Sequence, residues 1–111
     1  METNHTTDNM TVTITANDRG NPPGKLADVE LHFQGASPLA GLKLIGFSVW
    51  ERRGGIGRNV TFPARAYSVN GERRSFAVLR PIVDATGQNA IRDRILEAYA
   101  EYEAQVTVAD A

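Results

Sequence analysis

The feature that most constrains the fold of this 111-residue chain is a change of hydrophobic period along its length. As far as residue 83 the apolar residues recur every second position, the period of strands. Only beyond residue 90 do they recur three and four apart, as Ile91, Ile95, Ala98, Tyr99, Tyr102 and Val106, which is the spacing of one helix face. Several strands followed by a single terminal helix, in a chain too short for a second core, predict one α+β domain.

Residues 1–10 read as a disordered polar tail without the basic start or apolar stretch of a secretory signal. Residues 11–16 set threonines against Val12 and Ile14 as a first strand, and the Gly20, Pro22, Pro23 and Gly24 cluster is a turn. Residues 25–34 alternate cleanly, with Ala27, Val29, Leu31 and Phe33 on one face and Asp28, Glu30 and His32 on the other. In residues 39–52 the phase slips by one between Leu42, Leu44 and Ile45, Phe47, Val49. Such a slip predicts a bulge or burial of both faces, and Gly46 suits a bulge.

A fourth strand is expected over residues 59–69, with Pro63 marking an edge or an irregularity. Asn70-Gly71 predicts a tight hairpin turn, because both residues tolerate positive φ. The run Phe76, Ala77, Val78, Leu79 in a fifth strand, residues 73–83, predicts cover on both faces, with the helix as the cover. Asp84 or Thr86 is placed to cap that helix, and residues 107–111 read as a tail. The expected fold is a twisted antiparallel sheet of about five strands with one C-terminal helix packed on it, the domain spanning residues 11–106.

The absence of cysteine excludes disulfides and thiol chemistry and suits a reducing cytoplasm. The net charge of −1 argues against coating nucleic acid by bulk electrostatics, but the charge is unevenly spread. Between Lys43 and Arg94 ten basic residues face four acidic ones, and nine of the ten are arginine. Arg52, Arg53 and Arg58 fall in a glycine-rich loop, Arg65 on the next strand and Arg73-Arg74 just past the hairpin turn. Glycines allow close backbone approach and arginines neutralise phosphates; the competing reading is a set of solvated charges that keep strand ends soluble. Arg92 and Arg94 lie near the helix start, where the dipole favours an anion, or are ordinary surface charges. Trp50 and Tyr67 offer stacking faces or fill the core.

Other chemistries find less. Gly54-Gly55-x-Gly57 lacks the lysine, the hydroxyl and the following helix of a phosphate-binding loop. Glu30 and His32 share a strand face but need a third group to hold a metal. No serine has a nucleophile context. Neither catalytic nor metal-binding residues are expected, nor a cofactor or a small-molecule substrate, and no apolar run is long enough to span a membrane.

Residues 24–102 resemble the stage V sporulation protein G (SpoVG) family of septation regulators. The resemblance is carried by Gly24-Lys25-Leu26, Leu42-Lys43-Leu44-Ile45, Phe62-Pro63-Ala64-Arg65, Asn70-Gly71-Glu72, Pro81-Ile82 and Ile95-Leu96-Glu97-Ala98-Tyr99 in that order. Where the family commonly has Met-Pro-Ser this chain has Phe62-Pro63-Ala64, and Arg80 replaces a frequent histidine before Pro-Ile. The resemblance implies an α+β domain that forms a homodimer by strand pairing and binds DNA or RNA as a sequence-preferring cytoplasmic regulator. It also favours the phosphate-binding reading of Arg52, Arg53, Arg58, Arg65, Arg73, Arg74, Arg92 and Arg94. The alternative is a non-enzymatic protein-interaction module that presents a strand edge or helix face of the dimer.

Overall fold

The computed structural model describes residues 2–7, 9–36, 38–52, 54 and 57–109. Its architecture is α+β. Strands β1 (Glu2–Thr7), β2 (Met10–Ala16), β3 (Lys25–Phe33), β4 (Lys43–Glu51) and β5 (Arg58–Thr61) form one antiparallel sheet in sequence order. Strands β6 (Ala64–Val69) and β7 (Glu72–Ala77) form a separate two-stranded hairpin, and α1 (Thr86–Ala109) follows.

The helix lies on one face of the larger sheet, against β2 and β5. The core between them is Val12, Ile14, Ala27, Val29, Leu31, Phe47, Val49, Val60, Ile95, Ala98 and Tyr99. The alternation read along β3 therefore points its apolar phase at the helix, and Asp28 and His32 at solvent. Phe47 meets Phe62 edge to face with ring centroids 5.2 Å apart, a geometry favoured by the ring quadrupoles. The Asp84 carboxylate accepts a hydrogen bond from the Thr86 backbone amide at 2.9 Å and so caps the helix. The Thr86 hydroxyl foremost, and then this backbone bond, hold the Asp84 carboxyl below its ordinary range.

The phase slip in β4 is a bulge. Val29 pairs with Phe47 but Leu31 pairs with Leu44, so β4 advances three residues while β3 advances two. Gly46 takes the strain at φ 103°. A Cβ there would lie 2.9 Å from Pro63 Cβ, closer than packed carbons approach. Gly46→Ala is expected to cost about 2 kcal/mol or more from the disallowed backbone alone. A lowered urea midpoint would show it, whereas an unchanged midpoint would mean that the bulge relaxes freely.

Four expectations need correction. Residues 2–7, read as part of a tail, form β1 and pair with β2 from Glu2 opposite Thr15 to Thr7 opposite Met10. Threonine is a good strand former whose polarity hid the pattern. The fourth strand is broken at Phe62-Pro63 into β5 and β6, because proline cannot donate to a ladder. The fifth strand stops at Ala77, and its apolar run is not covered on both faces: Phe76 is 39% and Val78 57% exposed, and the helix packs elsewhere. The helix runs on to Ala109, through positions read as the C-terminal tail.

Candidate nucleic-acid interface

The β6–β7 hairpin stands apart from the core, and every residue of both strands is exposed. Asn70 at φ 52° and Gly71 at φ 79° form its turn, the two positive angles of a type I′ hairpin. In its register Arg65 faces Phe76, Tyr67 faces Arg74 and Val69 faces Glu72. Directly opposed residues share a face, so Arg65, Tyr67, Val69, Glu72, Arg74 and Phe76 lie together. The other face carries Arg73 among alanines and serines.

On the first face the Tyr67 and Phe76 rings lie 5.7 Å apart, tilted by 55°. The Arg80 guanidinium sits 5.3 Å over the Phe76 ring, while its Nε donates to the Ala77 carbonyl at 2.8 Å. Arg74 donates to Glu72 at 3.0 Å in a pair exposed on both sides. Such a pair is worth under about 1 kcal/mol and exchanges readily for another anion. The segment 64–80 holds four arginines and one glutamate in a chain whose net charge is −1.

The remaining predicted arginines are scattered and mostly engaged. Arg58, on β5, donates from NH2 to Glu103 on the helix at 2.8 Å and from NH1 to the Gly57 carbonyl at 3.0 Å. The Glu103 bond raises the Arg58 pKa above its ordinary value against some desolvation. The Glu103 bond ties sheet to helix, while Arg58 Nε is buried without a hydrogen-bond partner among the described residues. Arg52 donates from Nε to the Arg58 carbonyl at 3.2 Å. Arg92 donates to Asn89 at 3.0 Å and lies 5.3 Å over the Phe62 ring. Arg94 is partly buried beside Met10, Ala90 and Ile91. Arg53 lies outside the described residues.

The structure therefore brings Arg65 and Arg74 together, adds Arg80, and sets Arg73 on the opposite face. Arg80 is the residue that sequence reasoning missed; its spacing of four from Phe76 was the available signal. Trp50 is half-buried and donates from Nε1 to Thr61 Oγ1 at 2.8 Å, which marks it as part of the sheet surface. Tyr67, also read as a core candidate, is 41% exposed.

On the open face of the larger sheet, Glu30 Oε1 lies 2.9 Å from His32 Nε2 and 3.3 Å from Lys43 Nζ. Among the described residues no three His, Asp or Glu side chains group as metal ligands. The His32 hydrogen bond foremost, with help from Lys43, holds the Glu30 carboxyl below its ordinary 4.5. A carboxyl lowered in the folded state contributes stability that is full above pH 4.5 and is lost as pH falls through the folded value. Thermal melts of Glu30→Gln and wild type should therefore differ at pH 7 and converge near pH 3; an equal gap at both would remove this linkage.

Comparison with protein-family models, curated proteins and solved structures gives no match. What the fold and this surface define is a class: an α+β chain with an exposed, basic two-stranded hairpin that carries aromatic rings. No helix among the described residues is long and apolar enough to cross a membrane.

Proposed function

We propose that the chain is a homodimeric, non-enzymatic, sequence-preferring regulator of the cytoplasm that takes DNA or RNA on the basic face of its β6–β7 hairpin. The observation that carries this reading is the face itself: Arg65, Arg74 and Arg80 with Tyr67 and Phe76, projecting clear of the core. A surface shaped only for solubility has no use for two half-exposed rings among its charges. The resemblance to the SpoVG family supports the same conclusion, and its hairpin turn Asn70-Gly71-Glu72 is the tip of this element.

The energetics of the hairpin support the dimer. A lone two-stranded ribbon is marginal in water, and among the described residues β6 and β7 pair only with each other. Strand pairing between two copies supports both ribbons at their edges and leaves the arginine face open. It also brings two such faces into one assembly.

Fluorescence anisotropy with mixed-sequence oligonucleotides across a salt series tests the reading. Three phosphate contacts per protomer give a log-log slope of roughly −5 on duplex or −4 on single strands. A slope near zero, or no binding at low salt, would remove it. Light scattering during gel filtration should give twice the 12.1 kDa chain mass, and a monomer would remove the dimer.

A second reading, a protein-interaction module, draws on Ile82 and Val83, which are 100% and 91% exposed beside the helix start. They border an open apolar cavity of about 340 Å³ between Leu79, Gln88 and Ile91. Arginine-to-alanine substitutions on the hairpin separate the two readings, since a contact at Ile82 and Val83 survives them.

A further inference from the structure

We infer that the Arg65–Tyr67–Arg74–Phe76 face selects single-stranded over double-stranded nucleic acid, by stacking unpaired bases on Tyr67 and Phe76. The inference rests on the nucleic-acid reading above and names its ligand class.

The register sets four side chains at the corners of one small square. Arg65 is opposite Phe76 and Tyr67 is opposite Arg74, so each ring has one arginine across the ladder and another two residues along its own strand. Charge and π-face therefore alternate in both directions. The phosphates and bases of an extended strand alternate in the same way.

Apart from the side of Phe76 that Arg80 covers, the rings leave their faces available. A tilt of 55° at 5.7 Å keeps Tyr67 and Phe76 from closing over one another, and their exposures are 41% and 39%. Arg80, held 5.3 Å over one face of Phe76, leaves the opposite face for a base and keeps a guanidinium within reach of that nucleotide's phosphate.

Duplex DNA fits this face less well. A two-stranded ribbon does enter the major groove, but it reads base edges there with polar side chains. Tyr67 and Phe76 at the centre of the face would instead meet base edges already stacked on their neighbours, with no π-face to offer. Unpaired bases supply that face, each worth about a factor of ten in affinity per ring.

The 111-residue chain is titrated at one salt concentration into labelled dT20, rU20, a 20-bp mixed duplex and a 20-residue abasic DNA strand. The abasic strand carries the phosphates without the bases, so it isolates stacking without any change to the protein. At least one of dT20 and rU20 should bind tenfold or more tighter than both the duplex and the abasic strand, and the better arm identifies the sugar. Tyr67→Leu with Phe76→Leu should lose about a hundredfold on that strand and keep the duplex affinity, while Tyr67→Phe keeps both.

Duplex binding equal to or tighter than both single strands overturns the inference, as does an abasic strand that binds as well as dT20. Either result, with a steep salt slope retained, leaves the nucleic-acid reading standing. Absence of binding to all four probes at low salt removes both.

Discussion

Replacing Arg65, Arg74 and Arg80 together by alanine should weaken nucleic-acid binding at least a hundredfold and flatten its salt dependence toward zero, from about −4 on single strands or −5 on duplex. The magnitude follows from three lost phosphate contacts per protomer at about 1 kcal/mol each, and from the counterions that those contacts no longer release. These three side chains are exposed, and their only described polar partners are Glu72 and the Ala77 carbonyl. Their removal therefore creates no buried orphan and should leave thermal unfolding almost unchanged. The matched control is Arg73→Ala on the opposite hairpin face, which should change affinity by less than about threefold, within the range of a surface substitution. Equal effects from Arg73 and the other three would mean that the hairpin acts as a diffuse charge and not through one face.

Phe47→Ala should be the most destabilising single substitution in the sheet. Phe47 is 1% exposed at the centre of the core and meets Phe62 edge to face at 5.2 Å, so truncation removes both transfer free energy and the lining of a cavity. The cost is about 3–5 kcal/mol. At about 4 °C or more per kcal/mol for a domain of this size, the melting temperature falls by at least about 12 °C. Phe76→Ala, at an aromatic position read from sequence as covered on both faces, should shift it by only about 2 °C, because that ring is 39% exposed on a hairpin outside the core cluster. Comparable losses at the two positions would place the hairpin inside the cooperative core and undo the separation on which the function argument depends.

Much of this fold was legible because local chemistry decided it. Asn70-Gly71 specifies its turn with no help from the rest of the chain. The slip between Leu44 and Phe47 announced the bulge, since a strand cannot change face without an extra residue. Ile95, Ala98 and Tyr99 share a helix face that needs a core to cover, and the sheet supplies it. Pro63 marked the break that separates β5 from β6.

What sequence reasoning missed lay in pairings over long separations and in exposure. Phe76 to Leu79 looks like a buried run because apolar consecutive residues usually are. Nothing local reveals that the helix packs on β2 and β5 and leaves the hairpin uncovered. Arg58 belongs with Glu103, 45 residues away, so its role in tying sheet to helix was invisible beside its neighbours Arg52 and Arg53. Arg65 and Arg73 are equally basic and equally near the turn, yet register alone puts them on opposite faces. That a hairpin would form was therefore readable, but which arginines it gathers required the ladder.

The proposed seat of nucleic acid is the face formed by Arg65, Tyr67, Arg74, Phe76 and Arg80. Backbone amide chemical shifts recorded while dT20 or rU20 is titrated into isotope-labelled protein test it most directly. The expected result is perturbation concentrated at residues 64–80, with the helix and the β2–β3 ladder unmoved. Perturbation centred on Arg92 and Arg94 at the helix start, with the hairpin silent, would contradict it.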